Sequence, residues 1–508
     1  MTGQKYWLHL FMRKFNSAYI NGHISYGSKK GQIIFINMTD SKFTIFKCLL
    51  VLVVTIFISS SCSYFNPKQR QNPEGEIPNT FSLYSKGSEQ PEKWWESFND
   101  EELNYLVEIA LKENPSLKEA WARLMQSKAI AVQAGSALVP NLTGNAGASR
   151  ARQKRKNTVT SKETVKDYSL GLVSSYELDL WGKIRSEQEA AILQTSASRE
   201  DFNTAAMTLA AEVTELWINI ISQRMQKHLL NEQLKTNMIH FELVNLRFRK
   251  AMVSALDVYQ QKQVVEKVKA QIPLVESQEM LLFHKLALLL GKAPNSDIKI
   301  NRNSLPVVLE LPSIGIPADV LSRRPDVRSS GLRLRAVDWK VAAARADRLP
   351  SIDLIASLNF NSETLDLLMD NWILGLAGNL TAPILDGKRR KAEVSRQMAL
   401  ANENLASYRS TVLTAIKEVE DALISEAKQR EHIVALENEF KAAKNALNEA
   451  RERYRKGLNE YLPVLAQLLT TQNLEIDLIQ KKTQLLLFRI SLHRALGGTW
   501  MNDVEQMF

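Results

Sequence analysis

The feature that most constrains this chain is an internal duplication with a period of a little over two hundred residues. An apolar helical pattern that opens at Pro115 and stops at Pro140 returns 210 residues later, between Pro325 and Pro350. Three further matches follow at offsets of 205 or 206 residues: Gly182-Lys183-Ile184-Arg185 with Gly387-Lys388-Arg389-Arg390, Arg247-Phe248-Arg249-Lys250 with Arg453-Tyr454-Arg455-Lys456, and Leu290-Gly291 with Leu496-Gly497. A long unit copied once indicates an architecture of two similar halves.

Each half combines long helical stretches with a pair of predicted strands. Residues 183–250 and 388–456 lack proline, and their apolar residues recur at the three-four spacing of coiled coils, so each predicts a helix of ~100 Å. Alternation of apolar and polar residues predicts strands at about 141–152, 168–178, 351–360 and 372–382. Because two isolated strands are marginal in water, each pair must associate with something else.

The second pair of strands has two faces of different polarity. Leu354 and its even-numbered neighbours share an apolar face, whereas Asp353, Ser357 and Asn359 lie on the other. This pattern is typical of strands that meet lipid on one side and a water-filled lumen on the other, so we predict that those three residues face a lumen. Four such strands cannot close a barrel, and open strand edges are not tolerated in lipid. The chain is therefore expected to oligomerise.

The basic excess of the chain is concentrated in its first 61 residues. Seven Lys or Arg against one Asp there contribute +6 to a formal net charge of +10. From Met38 onward, a charged segment is followed by the apolar run Cys48–Ile58 and then by Ser59-Ser60-Ser61-Cys62, as in a secretory signal. The apolar run is too short to span a bilayer, which needs ~20 residues. We therefore predict that Met38 is the initiator and that the chain is exported.

Cys62 closes a segment that resembles the bacterial lipobox, in which the cysteine becomes the acylated N-terminus of the mature protein. Ser59 departs from that pattern, which usually carries Leu at this position. The resemblance implies a covalent lipid at Cys62, made of diacylglycerol and an acyl chain, and ordinary cleavage nearby is the alternative. No other cofactor is expected. The remaining cysteine, Cys48, lies in the leader, so the mature chain has no intramolecular disulfide.

Together these patterns predict the following organisation of the chain. Residues 1–61 are a leader with a signal peptide, 62–93 a lipid-anchored tether, 94–291 the first structural repeat, 292–317 a linker between the repeats, 318–500 the second structural repeat, and 501–508 a C-terminal tail. The linker contains four prolines, as segments between periodic units often do.

Short motifs in both repeats carry a resemblance to a known family. They are Trp94-Trp95, Phe98, Asn114-Pro115-Ser116-Leu117, Ala120, Arg123, Tyr176-Glu177-Leu178-Asp179-Leu180-Trp181-Gly182, Arg323-Arg324-Pro325-Asp326-Val327, Pro383-Ile384-Leu385-Asp386-Gly387 and Tyr454-Arg455-Lys456-Gly457. They resemble the TolC-type outer-membrane efflux channels, and most closely the NodT-like lipoprotein branch that serves resistance-nodulation-division pumps. The resemblance covers roughly residues 94–500.

The resemblance implies both a fold and a function. The fold is mainly α with a membrane β-barrel portion, built from a duplicated helix-strand-strand-helix unit. A homotrimer would form a twelve-stranded barrel, embedded in outer-membrane lipid of a Gram-negative bacterium and continued by a long α-helical periplasmic tunnel. The expected partners are a periplasmic adaptor (membrane fusion) protein and an inner-membrane pump. The expected function is passive conduction of drugs or other small solutes to the exterior, with no catalysis.

Other functions remain as alternatives to drug efflux. Within the family, these are an exit duct for type I protein secretion and metal-ion efflux. A periplasmic adaptor would also be a lipoprotein with a helical hairpin, but it would have one hairpin flanked by small β domains rather than a duplicated unit. A lipid-anchored coiled-coil scaffold would lack the alternating strands.

The resemblance also implies a periplasmic gate where the long helices turn back, at residues 251–255 and 457–461. The hydrophobic gate of the relatives corresponds to Leu462, and the acidic residue four positions later corresponds to Ala466. Because that acid is missing, Glu460 and Asp257 are the nearest acidic candidates. A ring of leucines can close a pore by dewetting, whereas a carboxylate ring binds cations. We expect a mainly hydrophobic gate; the alternative is that Leu462 only packs the turn.

Several other classes of site are not indicated by the sequence. It contains no His-Glu-x-x-His motif, nucleophile elbow or glycine-rich phosphate loop, so no catalytic residue and no metal ligand is predicted. A nucleic-acid partner is not expected, because most of the basic excess lies in the leader. A basic stretch lies at the tip of the first predicted hairpin, and it is either a solvated loop or a contact for anionic lipopolysaccharide. Its members are Arg150, Arg152, Lys154, Arg155, Lys156 and Lys162.

Overall fold

The secondary structure follows the duplicated order of the sequence. A computed structural model describes residues 66–67, 80–81, 93–156, 160–307, 311–312, 317–498 and 500–508, and the predicted start at Met38 and lipid anchor at Cys62 lie outside these ranges. Within them the elements are a 3-10 turn at Trp94–Phe98, α1 (Glu101–Glu113), α2 (Pro115–Ser136), β1 (Asn141–Lys156), β2 (Thr160–Glu177), α3 (Lys183–Arg249), α4 (Ala255–Leu289), α5 (Pro317–Arg323), α6 (Pro325–Ala346), β3 (Ser351–Ser362), β4 (Trp372–Thr381), α7 (Arg389–Arg455), α8 (Tyr461–Leu496), α9 (Met501–Val504) and a 3-10 turn at Glu505–Met507.

Two long helical hairpins dominate the structure. The helices α3 and α7 have 67 residues each, which corresponds to ~100 Å at 1.5 Å per residue. Each is followed after a short turn by a returning helix, α4 or α8, of about half that length. None of the helices in the described ranges has both the length and the apolar character needed to cross a membrane.

The start of each repeat is fastened to the end of its own helical hairpin. Asn114 caps α2 by accepting a hydrogen bond from Leu117 N, and Pro115 takes the first helical position, where its missing N–H costs nothing. The Asn114 side chain also donates to the Leu289 carbonyl at 2.8 Å. In the second repeat Arg324 takes this place and donates to the Ala495 carbonyl at 3.2 Å. Different side chains therefore make the same connection in the two copies.

The four strands form one antiparallel sheet in the order β1-β2-β3-β4. The pairs run from Asn141↔Ser175 to Lys156↔Thr160 between β1 and β2, and from Tyr168↔Ser362 to Glu177↔Asp353 between β2 and β3. The first hairpin extends past the predicted ends at about 152 and 168, because its polar tip residues also pair across the hairpin. Alternating hydrophobicity, on which the prediction was based, does not detect such pairs. The order leaves β1 and β4 as the outer strands of the chain's sheet.

Each sheet end turns into its long helix through a sharp corner. The helices α3 and α7 begin after Gly182 and Lys388, whose φ angles are 73° and 70°. Carboxylates satisfy free backbone N–H groups in the first turns, since Asp179 accepts two such hydrogen bonds at 3.0 Å and Asp386 accepts one at 3.1 Å. The corner is thus built from a left-handed residue and a capping aspartate in both copies.

The largest core cluster joins the 3-10 turn at Trp94–Phe98 and the C-terminal segment to α3. Trp95 of the first 3-10 turn packs edge-on against Trp500, with ring centroids 4.7 Å apart. Trp94 stacks on His493 of α8 at 5.1 Å. Burial lowers the pKa of His493 to about 3, so its ring is neutral and packs as an aromatic plate.

Candidate pore-lining and gating site

The sheet has one apolar and one polar face, as the register of β3 and β4 shows. Alternate positions pair apolar with apolar residues, as in Ala356↔Leu376, Leu358↔Leu374 and Phe360↔Trp372. These side chains are largely uncovered in the chain: Leu376 is 83% exposed and Trp372 is 60% exposed. A contiguous apolar surface of this kind marks a contact with lipid or with another protein.

The polar face carries the three residues predicted from the sequence. Asp353, Ser357 and Asn359 lie at odd-numbered positions of β3, where Ile355 is the one apolar residue. Their partners on β4 are Asn379, Gly375 and Ile373. Amide groups crowd this face around Gly171, where an added Cβ would lie 2.6 Å from Oδ1 of both Asn145 and Asn359. Only glycine leaves room for both amides at that position.

The turn between α7 and α8 places Leu462 and Ala466 on the same side of α8. Both are exposed in the chain, and Leu462 is 55% exposed. The opposite side of α8 is buried in a cluster that includes Tyr454, Tyr461, Leu465 and Leu468. Leu462 is thus outside the core that packs this turn within one chain.

The two acidic candidates near the turns are in different situations. Asp257 takes part in a capping box at the start of α4, where its carboxylate accepts hydrogen bonds from Ser254 N at 3.0 Å and Ser254 Oγ at 2.9 Å. Glu460 is the N-cap residue of α8 but makes no capping hydrogen bond, and its side chain is exposed. The carboxylate of Asp257 therefore stabilises the start of α4, whereas the side chain of Glu460 is free to contact solvent.

A chain of polar contacts behind the turns links three of the four long helices. The buried Tyr461 hydroxyl donates to Gln261 Oε1 at 2.6 Å, and Gln261 Nε2 donates to the Asn237 carbonyl at 2.9 Å. Asn237 and Gln472 then form a reciprocal amide pair at 3.2 and 3.3 Å. Burial, with Tyr454 nearby, raises the pKa of Tyr461, so its hydroxyl keeps its proton and can donate. These contacts join α3 and α4 of the first repeat to α8 of the second.

Two further contacts join α3 to α7 near the turns. The guanidinium of Arg247 lies over the Tyr454 ring, 4.3 Å from its centroid. Arg451 Nη2 lies 3.2 Å from His240 Nε2. Burial and the nearby Arg451 both lower the pKa of His240, which favours the neutral imidazole as the acceptor in this contact.

In the sequence, Arg247 and Tyr454 are visible as parts of a repeated motif, but their contact is not. Asn237, Gln261 and Gln472 were missed. All three are buried. A polar residue at a core position of a long helix indicates a hydrogen-bond partner inside the structure, and this was the signal that the sequence offered.

A two-faced antiparallel sheet continued by helices ~100 Å long defines the architecture of an outer-membrane channel. The sequence profile of the family described as "Outer membrane efflux protein" matches residues 106–292 and 316–498, one segment for each repeat. The chain belongs to this family. The resemblance found in the sequence and the duplicated, mainly α fold class are therefore confirmed, and the family is one of channels rather than enzymes.

Individual relatives agree with this assignment over most of their length. The chain is 30% identical to the pyoverdine export outer membrane protein OpmQ of Pseudomonas aeruginosa over 417 residues, covering 81% of this chain and 88% of the relative. It is 31% identical to the outer membrane protein OprJ of the same organism over 414 residues, covering 80% and 86%. The solved structure of the outer-membrane channel OprN superimposes with a TM-score of 0.80 at 25% identity, covering 86% of this chain and 100% of that chain.

Proposed function

We propose that the protein is the outer-membrane channel of a tripartite efflux system. It passively conducts drugs or other small solutes, which an inner-membrane pump and a periplasmic adaptor deliver, from the periplasm to the exterior. The observation that carries the proposal is the two-faced sheet attached to two helical hairpins. Membership of the efflux family supports it, as does the 30% identity to a relative named for pyoverdine export.

The sheet supports a homotrimer as the conducting form. A single chain contributes four strands and leaves the outer edges of β1 and β4 available. In lipid every backbone N–H and C=O group must be paired, so the sheet has to close on itself through other copies. Three copies give twelve strands, which is a reasonable size for a barrel with an open lumen. In this arrangement Leu376 and Trp372 meet lipid, and Asp353, Ser357 and Asn359 line the lumen.

The gate is proposed to be a ring of Leu462 side chains, one from each chain. Leu462 is exposed at the first turn of α8 and lies outside the core of its own chain, as a residue that meets its symmetry copies would. Ala466, one helical turn further on, supplies no charge. The Asp257 carboxylate already accepts hydrogen bonds from Ser254 in the capping box. Such a gate closes by excluding water and should be blocked more weakly by divalent cations than a gate with an acidic residue at the position of Ala466.

Single-channel recordings in planar bilayers test the channel and its gate together. We expect low resting conductance for the wild type and a several-fold higher conductance for Leu462→Ala, because a smaller ring no longer excludes water. Ala466→Asp should introduce a block by millimolar Mg²⁺ or Ca²⁺, and the uncharged control Ala466→Asn should not. A stable Leu462→Ala trimer with the same measurable conductance as the wild type would contradict the gate, whereas failure of both the wild type and Leu462→Ala to conduct would contradict the channel itself.

The mature N-terminus is proposed to be lipidated at Cys62, which would anchor the protein to the outer membrane in addition to the barrel. The signal and the lipobox-like segment support this proposal. Acyl chains and an inserted barrel both contribute to membrane binding, but the barrel alone suffices to hold the protein in the bilayer. The helices would extend from the barrel into the periplasm.

Metabolic labelling with radioactive palmitate tests the anchor. Cys62→Ser should lose the label completely and keep most of its membrane association, because the strands still insert. Cys48→Ser is the matched control and should be labelled like the wild type, since Cys48 lies in the leader. Labelling that persists in Cys62→Ser would refute lipidation at this residue.

A further inference from the structure

The paired strands of the first hairpin extend well beyond those of the second. The strand β3 ends opposite Tyr168, at the pair Tyr168↔Ser362. The eight pairs of β1 and β2 from Ser149↔Asp167 to Lys156↔Thr160 lie past that level. At ~3.4 Å per residue they form an arm of ~27 Å. The arm is at the end of the sheet opposite the helices, so it points to the cell exterior in the proposed channel.

The register sorts the charges of this arm by face. The even-numbered positions of β1 that carry Leu142, Ala146 and Ala148 continue as Arg150 and Arg152. On β2, Lys166 lies two positions from Tyr168 and directly opposite Arg150. The carboxylate Asp167 occupies an odd position, opposite Ser149, and so belongs to the other face. The apolar face of the sheet therefore becomes a cationic face along the arm.

Three cations of this face, Arg150, Arg152 and Lys166, are exposed and have no acidic partner among the residues that the structure describes. Like charges placed directly opposite each other on neighbouring strands destabilise the pair, which applies to Arg150 and Lys166. An anion bound between them would turn this repulsion into attraction.

Aromatic residues locate the cations relative to the membrane. Tyr168 of β2, Phe360 of β3 and Trp372 of β4 occupy neighbouring levels of the sheet, as Phe360 pairs with Trp372 and lies opposite Leu170, two residues from Tyr168. Aromatic girdles of this kind mark the boundary between the apolar band and the polar head groups. Lys166 is two residues beyond Tyr168, or ~7 Å. The cations therefore lie just outside the apolar band and on its lipid side.

We propose that Arg150, Arg152 and Lys166 form a binding surface for the phosphate groups of lipopolysaccharide in the outer leaflet. The inference rests on the proposed function, because it takes the apolar face of the sheet to be in the outer membrane. Two guanidinium groups can bind phosphate oxygens through paired N–H donors, and the ammonium of Lys166 adds a third positive charge. The position outside the apolar band matches lipid-linked phosphates at the membrane surface. A surface on the lumen side would instead meet the transported solute.

Native mass spectrometry of the purified full-length trimer with bisphosphorylated lipid A provides the test. The triple variant R150Q/R152Q/K166Q should have an affinity for lipid A that is lower by about tenfold or more, because each charge-assisted hydrogen bond contributes to affinity. Binding to the wild type should also weaken as salt is raised. The matched control R249Q/K250Q/K456Q removes three exposed cations at the helix turns and should bind like the wild type. K166Q alone should fold normally, since it relieves a repulsion, and should show an intermediate loss.

The outcomes separate this surface from the channel function. Binding of the triple variant within twofold of the wild type would overturn the proposal, and so would equal affinity of the wild type for lipid A and phosphatidylglycerol, which would indicate a general anionic-lipid surface. Conductance of the same preparations is measured in parallel. A triple variant that conducts like the wild type but has lost lipid A binding supports the surface. If neither the wild type nor the Leu462→Ala variant conducts, the proposed function fails and, with it, the membrane placement.

Discussion

Replacing Leu376 with Arg is expected to abolish assembly of the membrane-inserted trimer. Leu376 is 83% exposed on the apolar face of β4 and pairs with Ala356 near the middle of the β3–β4 hairpin. A basic side chain at the midplane of a lipid-facing strand costs roughly 2–4 kcal/mol, and a homotrimer bears that cost three times. The measurement is the yield of heat-modifiable trimer in purified outer membranes.

Ser357→Arg provides a matched control for this substitution. Ser357 follows Ala356 on β3 and so lies at nearly the same level of the sheet, but it faces the opposite side, where a Cβ at Gly375 would lie 3.0 Å from its hydroxyl oxygen. A lumen-facing arginine stays hydrated, so Ser357→Arg trimers should form at near wild-type yield. If both variants assemble equally well, or if only Ser357→Arg fails, the assignment of lipid and lumen faces is wrong.

The long helices could be predicted closely from the sequence, and the hairpin between β1 and β2 could not. The helix expected over 183–250 is observed as Lys183–Arg249, because sustained three-four spacing without proline leaves few alternatives. In contrast, β1 extends to Lys156 through consecutive polar residues. Backbone pairing holds that segment in the sheet whatever its side chains are, so a pattern of hydrophobicity does not reveal it.

The candidate site was predictable only in its local features. Sequence alone could place Leu462 and Ala466 on one side of a helix, because they are four residues apart. It could also have shown that Asp257 follows Ser254 at the spacing of a capping box. The hydrogen bond between Tyr461 and Gln261 joins residues 200 positions apart, and the packing of one repeat on the other creates it. Periodicity within a repeat carries no information about such contacts.

The second large effect is expected from Glu426, a buried carboxylate of α7. It is 1% exposed and accepts hydrogen bonds at 2.6 and 2.9 Å from Arg489 of α8, which is 3% exposed. Glu426→Ala removes the carboxylate that this buried guanidinium contacts. Removing one partner of a buried ion pair costs about 3–5 kcal/mol. The loss should appear as a lower midpoint of urea unfolding. Unfolding is monitored by the helical circular dichroism signal of the purified protein.

Two control variants distinguish the buried charge pair from a general loss of packing. Arg430 also contacts Glu426, at 2.9 Å, but its side chain is 42% exposed, so Arg430→Ala should cost no more than about 1 kcal/mol. The double variant Glu426→Leu/Arg489→Leu replaces both charges by apolar groups and should recover part of the stability lost in Glu426→Ala, because a buried ion pair gains little over apolar packing once desolvation is counted. If the double variant is as unstable as Glu426→Ala, the charge that remains in Glu426→Ala is not the cause. The carboxylate would then act mainly by filling space between α7 and α8.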